Sequence, residues 1–97
     1  MQEVLKALGH PMRREILSML KIAPRTAGEI SDNFDVSKPT ISGHLSILKN
    51  ADLIEQIRQG TTLTYHIRLS VLEETLGAIM GKFDIKNTMK KGKKNGN

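Results

Sequence analysis

Apolar residues recur at three- and four-residue spacing in five stretches of the chain, and alternate with polar ones in two more. Val4, Leu5 and Leu8 predict a short helix over residues 1–8 (α1). Gly9-His10-Pro11 breaks it, and Pro11 suits the first turn of the next helix, where its missing N–H costs nothing. That helix (α2) is expected to run to about residue 22, with Ile16, Leu17 and Leu20 as its buried stripe. Thr26 and Glu29 form a T-x-x-E capping box that opens a third helix (α3), with Ala27, Ile30 and Phe34 on its apolar face and Asp35-Val36 at its end. Ser37 is a good N-cap and Pro39 an early helical residue for a fourth helix over residues 38–49 (α4), which Asn50-Ala51-Asp52 closes. Residues 53–59 (β1) and 62–68 (β2) read as strands around a Gln59-Gly60-Thr61 turn. Ser70 is expected to cap a last helix (α5) with Leu72, Leu76, Ile79, Met80 and Phe83 on one face.

The expected fold class is mainly α with a β-hairpin, in the order α1-α2-α3-α4-β1-β2-α5. A helix-turn-helix followed by a hairpin is a winged helix-turn-helix, and its second helix commonly enters the major groove of DNA. One domain over residues 1–85 accommodates all of it. The remainder, residues 86–97, is Lys, Gly and Asn with little apolar content and is expected to be disordered.

Composition narrows the options. Of 97 residues, 38 % are hydrophobic but only Phe34, Tyr65 and Phe83 are aromatic, so the core must be aliphatic. So small a core favours further burial across a dimer interface. The absence of cysteine excludes disulfides, thiolate metal sites and cysteine nucleophiles, and it fits a reducing cytoplasm. No apolar run reaches the roughly 18–20 residues of a membrane helix, and no signal-peptide pattern is visible. A soluble cytoplasmic protein is expected.

The net charge of +5 belongs to the tail. Lys86, Lys90, Lys91, Lys93 and Lys94 account for five of the 15 basic residues, and the ten left balance the ten acidic ones. The tail either adds non-specific affinity for DNA or is solvated sequence that aids solubility. The high pI is thus weak evidence of nucleic-acid binding, and the arrangement of residues on α4 carries more.

On a helical wheel, Ile41, Leu45 and Leu48 cluster and must face the core. The opposite arc holds Pro39, Ser42, Gly43 and Ser46, flanked by Lys38, Thr40 and Ile47. Exposed helix faces are usually Glu, Lys, Gln and Arg, so a small uncharged face sacrifices helix propensity without structural return. Small residues permit close approach to a groove floor, Ser and Thr can bond base edges, and Lys38 with the N-terminal amides can hold a phosphate or guanine. The candidate DNA contacts on this element are Lys38, Pro39, Thr40, Ser42, Gly43 and His44.

His44 lies at the border of the buried and outer faces, where packing, DNA contact and metal binding all stay open. Arg13 and Arg14 sit in the first turn of α2, where the helix dipole disfavours cations. Either they meet an anion, which makes Arg14 a further candidate DNA contact, or both are solvated. At the hairpin tip, Arg58 and Thr62 are candidates for a wing contact to the backbone or minor groove, against a merely solvated turn.

The segments GHPMRREILSML, TAGEISDNFDVSKPTISGHLSILKNADLI and RQGTTLTYHI resemble the ArsR/SmtB family of small winged-helix repressors. The most specific part is Ser42, His44, Leu45 and Leu48 in the pattern S-x-H-L-x-x-L, and the resemblance spans roughly residues 2–82. It implies a homodimer with the first and last helices at the interface, two recognition helices on a palindromic operator, and repression, often of the protein's own operon. By matched position the resemblance implies that Ser37, Lys38, Pro39, Ser42 and Gly43 face the DNA, and that the dimer interface holds Val4, Leu5, Leu8, Leu72, Leu76, Ile79, Met80 and Phe83. The chain departs from metal-sensing members: α3 has no cysteine, residues 70–83 have no histidine, and His10, His44 and His66 lie on separate elements. It therefore resembles the members that do not sense metals, with no cofactor and an unknown small-molecule effector. A basic residue often follows the wing glycine in the family, whereas here Thr61 does.

The expected function is a homodimeric DNA-binding repressor, autoregulatory and without a metal effector. The alternatives are a metal-responsive regulator and a winged helix used as a protein-interaction module. No nucleophile–base constellation or phosphate loop marks an enzyme.

Overall fold

The computed structural model describes residues 1–84. The expected Lys-rich tail, 86–97, lies outside the described residues. The elements follow in the expected order: α1 Gln2–Leu8, α2 Pro11–Ile22, α3 Ala27–Ser31, α4 Lys38–Asn50, β1 Ile54–Gln59, β2 Thr62–Ile67 and α5 Leu69–Lys82. This is a winged helix-turn-helix.

Local chemistry explains the boundaries. His10 is the N-cap of α2, and its Nδ1 accepts from the Met12 N–H at 3.1 Å. Thr26 and Glu29 form the reciprocal capping box of α3, with Thr26 N–H on Glu29 at 2.9 Å and Glu29 N–H on Thr26 at 3.1 Å. The Thr26 backbone N–H, and then the Thr26 side chain, bond the Glu29 carboxylate and hold it below its ordinary range. The helix is shorter than its apolar pattern predicts. Asn33 donates its side-chain N–H to the Glu29 carbonyl at 3.1 Å, which ends α3 before Phe34. Phe34 packs against the core from the loop, and Ala27 is exposed at the first helical position.

Ser37 caps α4 through Thr40, as its position predicts. Asp52, in the left-handed region at φ 59°, closes the helix and lets Leu53 N–H reach the Leu48 carbonyl at 3.1 Å. The last helix starts at Leu69, with Arg68 rather than Ser70 at the N-cap. Arg68 is held there by its backbone bond to Leu53 (2.8 Å) and its ion pair with Glu55 (3.7 Å).

The two strands are antiparallel with Gln59 opposite Thr62, which leaves a two-residue turn, Gly60-Thr61. Gly60 supplies the positive φ of 66° that the first position of such a turn requires. Arg25 adds a one-residue bridge to the other edge of β2 at Tyr65. The core is aliphatic and centred on α2 and α4: Ile16, Ile30, Ile41, Leu48, Leu53 and Ile54 are its largest fully buried side chains. Val4 joins it at 5 % exposure and so is not available to a partner chain, because it and Ala7 face inward on α1 while Leu5 faces out. The helix α5 contains no buried residue.

Candidate nucleic-acid interface

The wheel of α4 holds. Ile41, Leu45 and Leu48 are buried, and Pro39, Ser42, Gly43 and Ser46 are exposed on the other side. Ser37, Lys38 and Thr40 are exposed at its N-terminus, where Ser37 and Thr40 hydroxyls bond each other at 2.9 Å. Lys38 and Ser42 border a notch of about 220 Å³ against Ala27, Gly28 and Ser31 of α3. The stripe Ser42, Ser46 and Lys49 then borders a second, polar groove whose far wall is Gln56 and Tyr65 of the hairpin. Side chains alternate along a strand, so Gln56 and Arg58 share one face of β1 while Thr62 lies on the other face of the hairpin.

The two arginines of α2 have an anion-like partner inside the chain. Arg13 is 8 % exposed and donates Nε to the Ala7 carbonyl (2.8 Å) and a terminal nitrogen to the Lys6 carbonyl (3.0 Å). Arg14 donates to the Leu8 carbonyl at 2.7 Å. Both therefore sit on the negative end of α1, where a helix dipole favours cations. Neither the solvated reading nor the external anion describes Arg13. Arg14 borders the hollow between α2, β2 and α5, away from the α4 stripe.

His44 is drawn into the same cluster. Its Nδ1 lies 3.1 Å from the third Arg13 nitrogen, and its ring meets that of His10 at 4.5 Å between centroids. Arg13 can only donate, so His44 Nδ1 accepts and is unprotonated. The ring packs against α2 instead of joining the outer face.

Residues 10–56 match the family described as "Bacterial regulatory protein, arsR family". The chain is 43 % identical over 76 residues to the transcriptional repressor SdpR of Bacillus subtilis (strain 168), covering 78 % of this chain and 84 % of that protein. It is 32 % identical to the arsenical resistance operon repressor of Staphylococcus xylosus, covering 92 % and 82 %. The chain belongs to the ArsR family of bacterial regulatory proteins. A solved relative of this ArsR-family chain is the homodimeric winged helix-turn-helix domain of Mb0332 from Mycobacterium bovis, with TM-score 0.67, 26 % identity, and coverage of 89 % and 82 %. Family and fold make the chain a DNA-binding transcriptional regulator and not an enzyme. No helix among the described residues is long and apolar enough to cross a membrane.

Three residues that line the groove beside the α4 stripe escape the sequence reading: Lys49, Gln56 and Tyr65. Lys49 lies three positions beyond Ser46 on the same stripe, and a two-residue turn at Gly60-Thr61 puts Gln56 opposite Tyr65. Both signals were present in the chain, but only the packed hairpin shows that they meet.

The His44 environment carries a pH prediction. Burial first, then the neighbouring His10 and Arg13, holds its pKa below the ordinary value of 6.5. The unfolded chain therefore takes up a proton here more readily than the folded one. Stability from this group is complete above about pH 6.5 and is lost as pH falls from there toward the folded-state value. Melting temperature should decline on acidification, and His44→Gln, which keeps an acceptor for Arg13 without titrating, should flatten the decline. Parallel melting profiles for the two proteins would rule this out.

Proposed function

We propose that the chain is a sequence-specific repressor that binds a palindromic operator as a homodimer, acts on DNA upstream of its own gene, and uses no metal effector. The observation that carries the reading is the exposed stripe of small polar residues on α4, with Lys38 at its N-terminus and a hairpin beside it. Ser37, Lys38, Pro39, Thr40, Ser42 and Gly43 meet the groove edge, and Arg58 reaches the backbone from the hairpin. Thr62 stands at the tip for a phosphate. His44 supports α4 from behind, and Arg14 belongs to the α1–α5 side. Repression follows from occlusion: a bound dimer covers the promoter, with half-sites about 34–36 Å apart. The relatives named as repressors support that direction of control.

Dimerisation is supported by apolar side chains that the single chain leaves uncovered. Leu5, Leu76 and Phe83 are 46 %, 41 % and 70 % exposed. Leu8, Leu72, Ile79 and Met80 are partly buried around them. The homodimeric Mb0332 domain has the same fold. Metal independence is supported by the lack of cysteine and by the use of both clustered imidazoles: His10 Nδ1 holds Met12 and His44 Nδ1 holds Arg13.

The test is fluorescence anisotropy with duplex DNA from upstream of the gene and a scrambled duplex, across a salt series, with and without zinc. The expected result is preference for the upstream duplex by roughly 10³-fold or more, steep in salt and unchanged by zinc. Lys38→Ala with Ser42→Arg should remove that preference while the melting temperature holds. Normal operator binding by this double variant would overturn the placement of α4, and equal weak binding of both duplexes by the parent would overturn autoregulation.

A further inference from the structure

The groove between α4 and the hairpin contains a hydrogen-bond chain with a fixed direction. Lys49 Nζ donates to Gln56 Oε1 at 3.0 Å, and Gln56 Nε2 donates to the Tyr65 hydroxyl oxygen at 2.8 Å. An ammonium has no acceptor, so Gln56 must turn its carbonyl to Lys49 and its amide nitrogen to Tyr65. The Tyr65 oxygen therefore accepts, and its own hydrogen is left pointing elsewhere. The Lys49 charge thus sets the orientation of a hydroxyl two links away.

The donors left over all belong to one place. Lys49 retains two N–H groups, Gln56 one, and Tyr65 its O–H. Ser42 and Ser46 hydroxyls have no partner among the described residues. All five residues line a groove of about 120 Å³ floored by Leu45. Gln56 Oε1, the carbonyl acceptor of this network, already accepts from Lys49. A groove with one positive charge and free donors selects an anion. Tyr65 cannot drift from it: its backbone bonds Arg25 in both directions, at 2.7 and 3.2 Å, on one edge, and it pairs with Gln56 on the other. The groove also continues the α4 stripe, so on DNA it would meet the sugar–phosphate ridge beside the bases that Ser42 reaches.

We propose that Ser46, Lys49, Gln56 and Tyr65 form a binding site for one phosphodiester of duplex DNA at the foot of the hairpin, with Tyr65 O–H as a donor oriented through Gln56. The proposal rests on the DNA-binding reading above. Tyr65 and Lys49 touch the phosphate, and Gln56 is in addition a positioning residue.

The experiment repeats the anisotropy series with Tyr65→Phe, Gln56→Met, their double variant and Lys49→Gln. Tyr65→Phe should weaken the upstream and scrambled duplexes alike, on the order of tenfold, since a phosphate contact carries no sequence information. Gln56→Met should weaken both as well, and the double variant should lose less than the product of the two single losses, because one acts through the other. Lys49→Gln, at an exposed position, should lower the salt slope by about one for each protomer bound. Tyr65→Phe should leave that slope and the melting temperature unchanged. Inorganic phosphate, added at constant ionic strength, should not displace the duplex. Parent-like affinity in both Tyr65→Phe and Gln56→Met would overturn the site while DNA binding stands. Displacement by inorganic phosphate would assign the groove to a free anion and overturn the phosphodiester. A parent that binds neither duplex would overturn the DNA-binding reading itself.

Discussion

Arg13→Ala is expected to destabilise the fold by about 3 kcal/mol, roughly 15 °C in melting temperature at fixed protein concentration. The guanidinium is buried and spans three acceptors on two helices: the Lys6 and Ala7 carbonyls of α1 and His44 Nδ1 of α4. Its removal strands carbonyls at the end of α1, and it frees an imidazole that was held by a donor. Hydrogen bonds from a charged donor are worth about 1.5–3 kcal/mol each, but water can re-enter at the two partly buried bonds, which keeps the total near the worth of one or two. Arg13→Lys should recover only part, since one ammonium cannot reproduce a planar fork. Arg14→Ala, with a single exposed bond to Leu8, should cost under about 1 kcal/mol. Thermal melts of the three variants decide the matter. Equal small losses in Arg13→Ala and Arg14→Ala would mean that the buried cluster does not hold α1 to the body. A loss of DNA affinity with no change in melting would restore Arg13 to the DNA surface.

This cluster marks the limit of what the chain reveals before folding. Periodicity placed α4 and its buried Ile41, Leu45 and Leu48, because a helix between a strong N-cap and a left-handed residue has little freedom. The turn at Gly60 was legible for the same reason: a local backbone demand met by a local residue. The errors arose where a distant or competing group decided. The Arg13 site depends on α1 ending against α2, so a wheel for α2 alone sees only a cation at the wrong end of a dipole. Asn33 stopped α3 by a side-chain bond that an apolar pattern cannot register. Val4 and Leu5 have the same character in sequence, yet only packing shows that one is core and the other surface. The outer stripe of α4 was legible as far as Ser46. Its continuation through Lys49 to Gln56 and Tyr65 needed the hairpin folded back beside the helix.

The same reasoning makes α5 the place where a small change has the second large effect. Fourteen residues of helix with no buried position are not stable on their own account, since short isolated helices are marginal in water. Leu76 and Phe83 stand out from the chain at 41 % and 70 % exposure, and Leu76 borders an apolar hollow of about 300 Å³ with Leu8, Leu17 and Leu72. Large apolar side chains left uncovered on a helix with no buried residue point to an interaction face, and the fold's homodimeric relative says which partner to try first. Leu76→Arg with Phe83→Arg is therefore expected to turn a dimer into a monomer. Full burial of such a side chain is worth about 1.5–3 kcal/mol; scaled to the exposed fractions of Leu76 and Phe83 on two protomers, the loss is about 3–6 kcal/mol, or roughly 10²–10⁴-fold in dimer Kd. Sedimentation at micromolar concentration should show the shift directly. The monomer should still melt cooperatively through its α2–α4 core, though at a lower temperature, since α5 has lost its cover. Operator binding should fall to the weak affinity of a single half-site with about half the salt slope, because one recognition helix now engages in place of two. A variant that stays dimeric would move the interface away from α5, and one that is monomeric but binds the operator undiminished would show that a single α4 suffices.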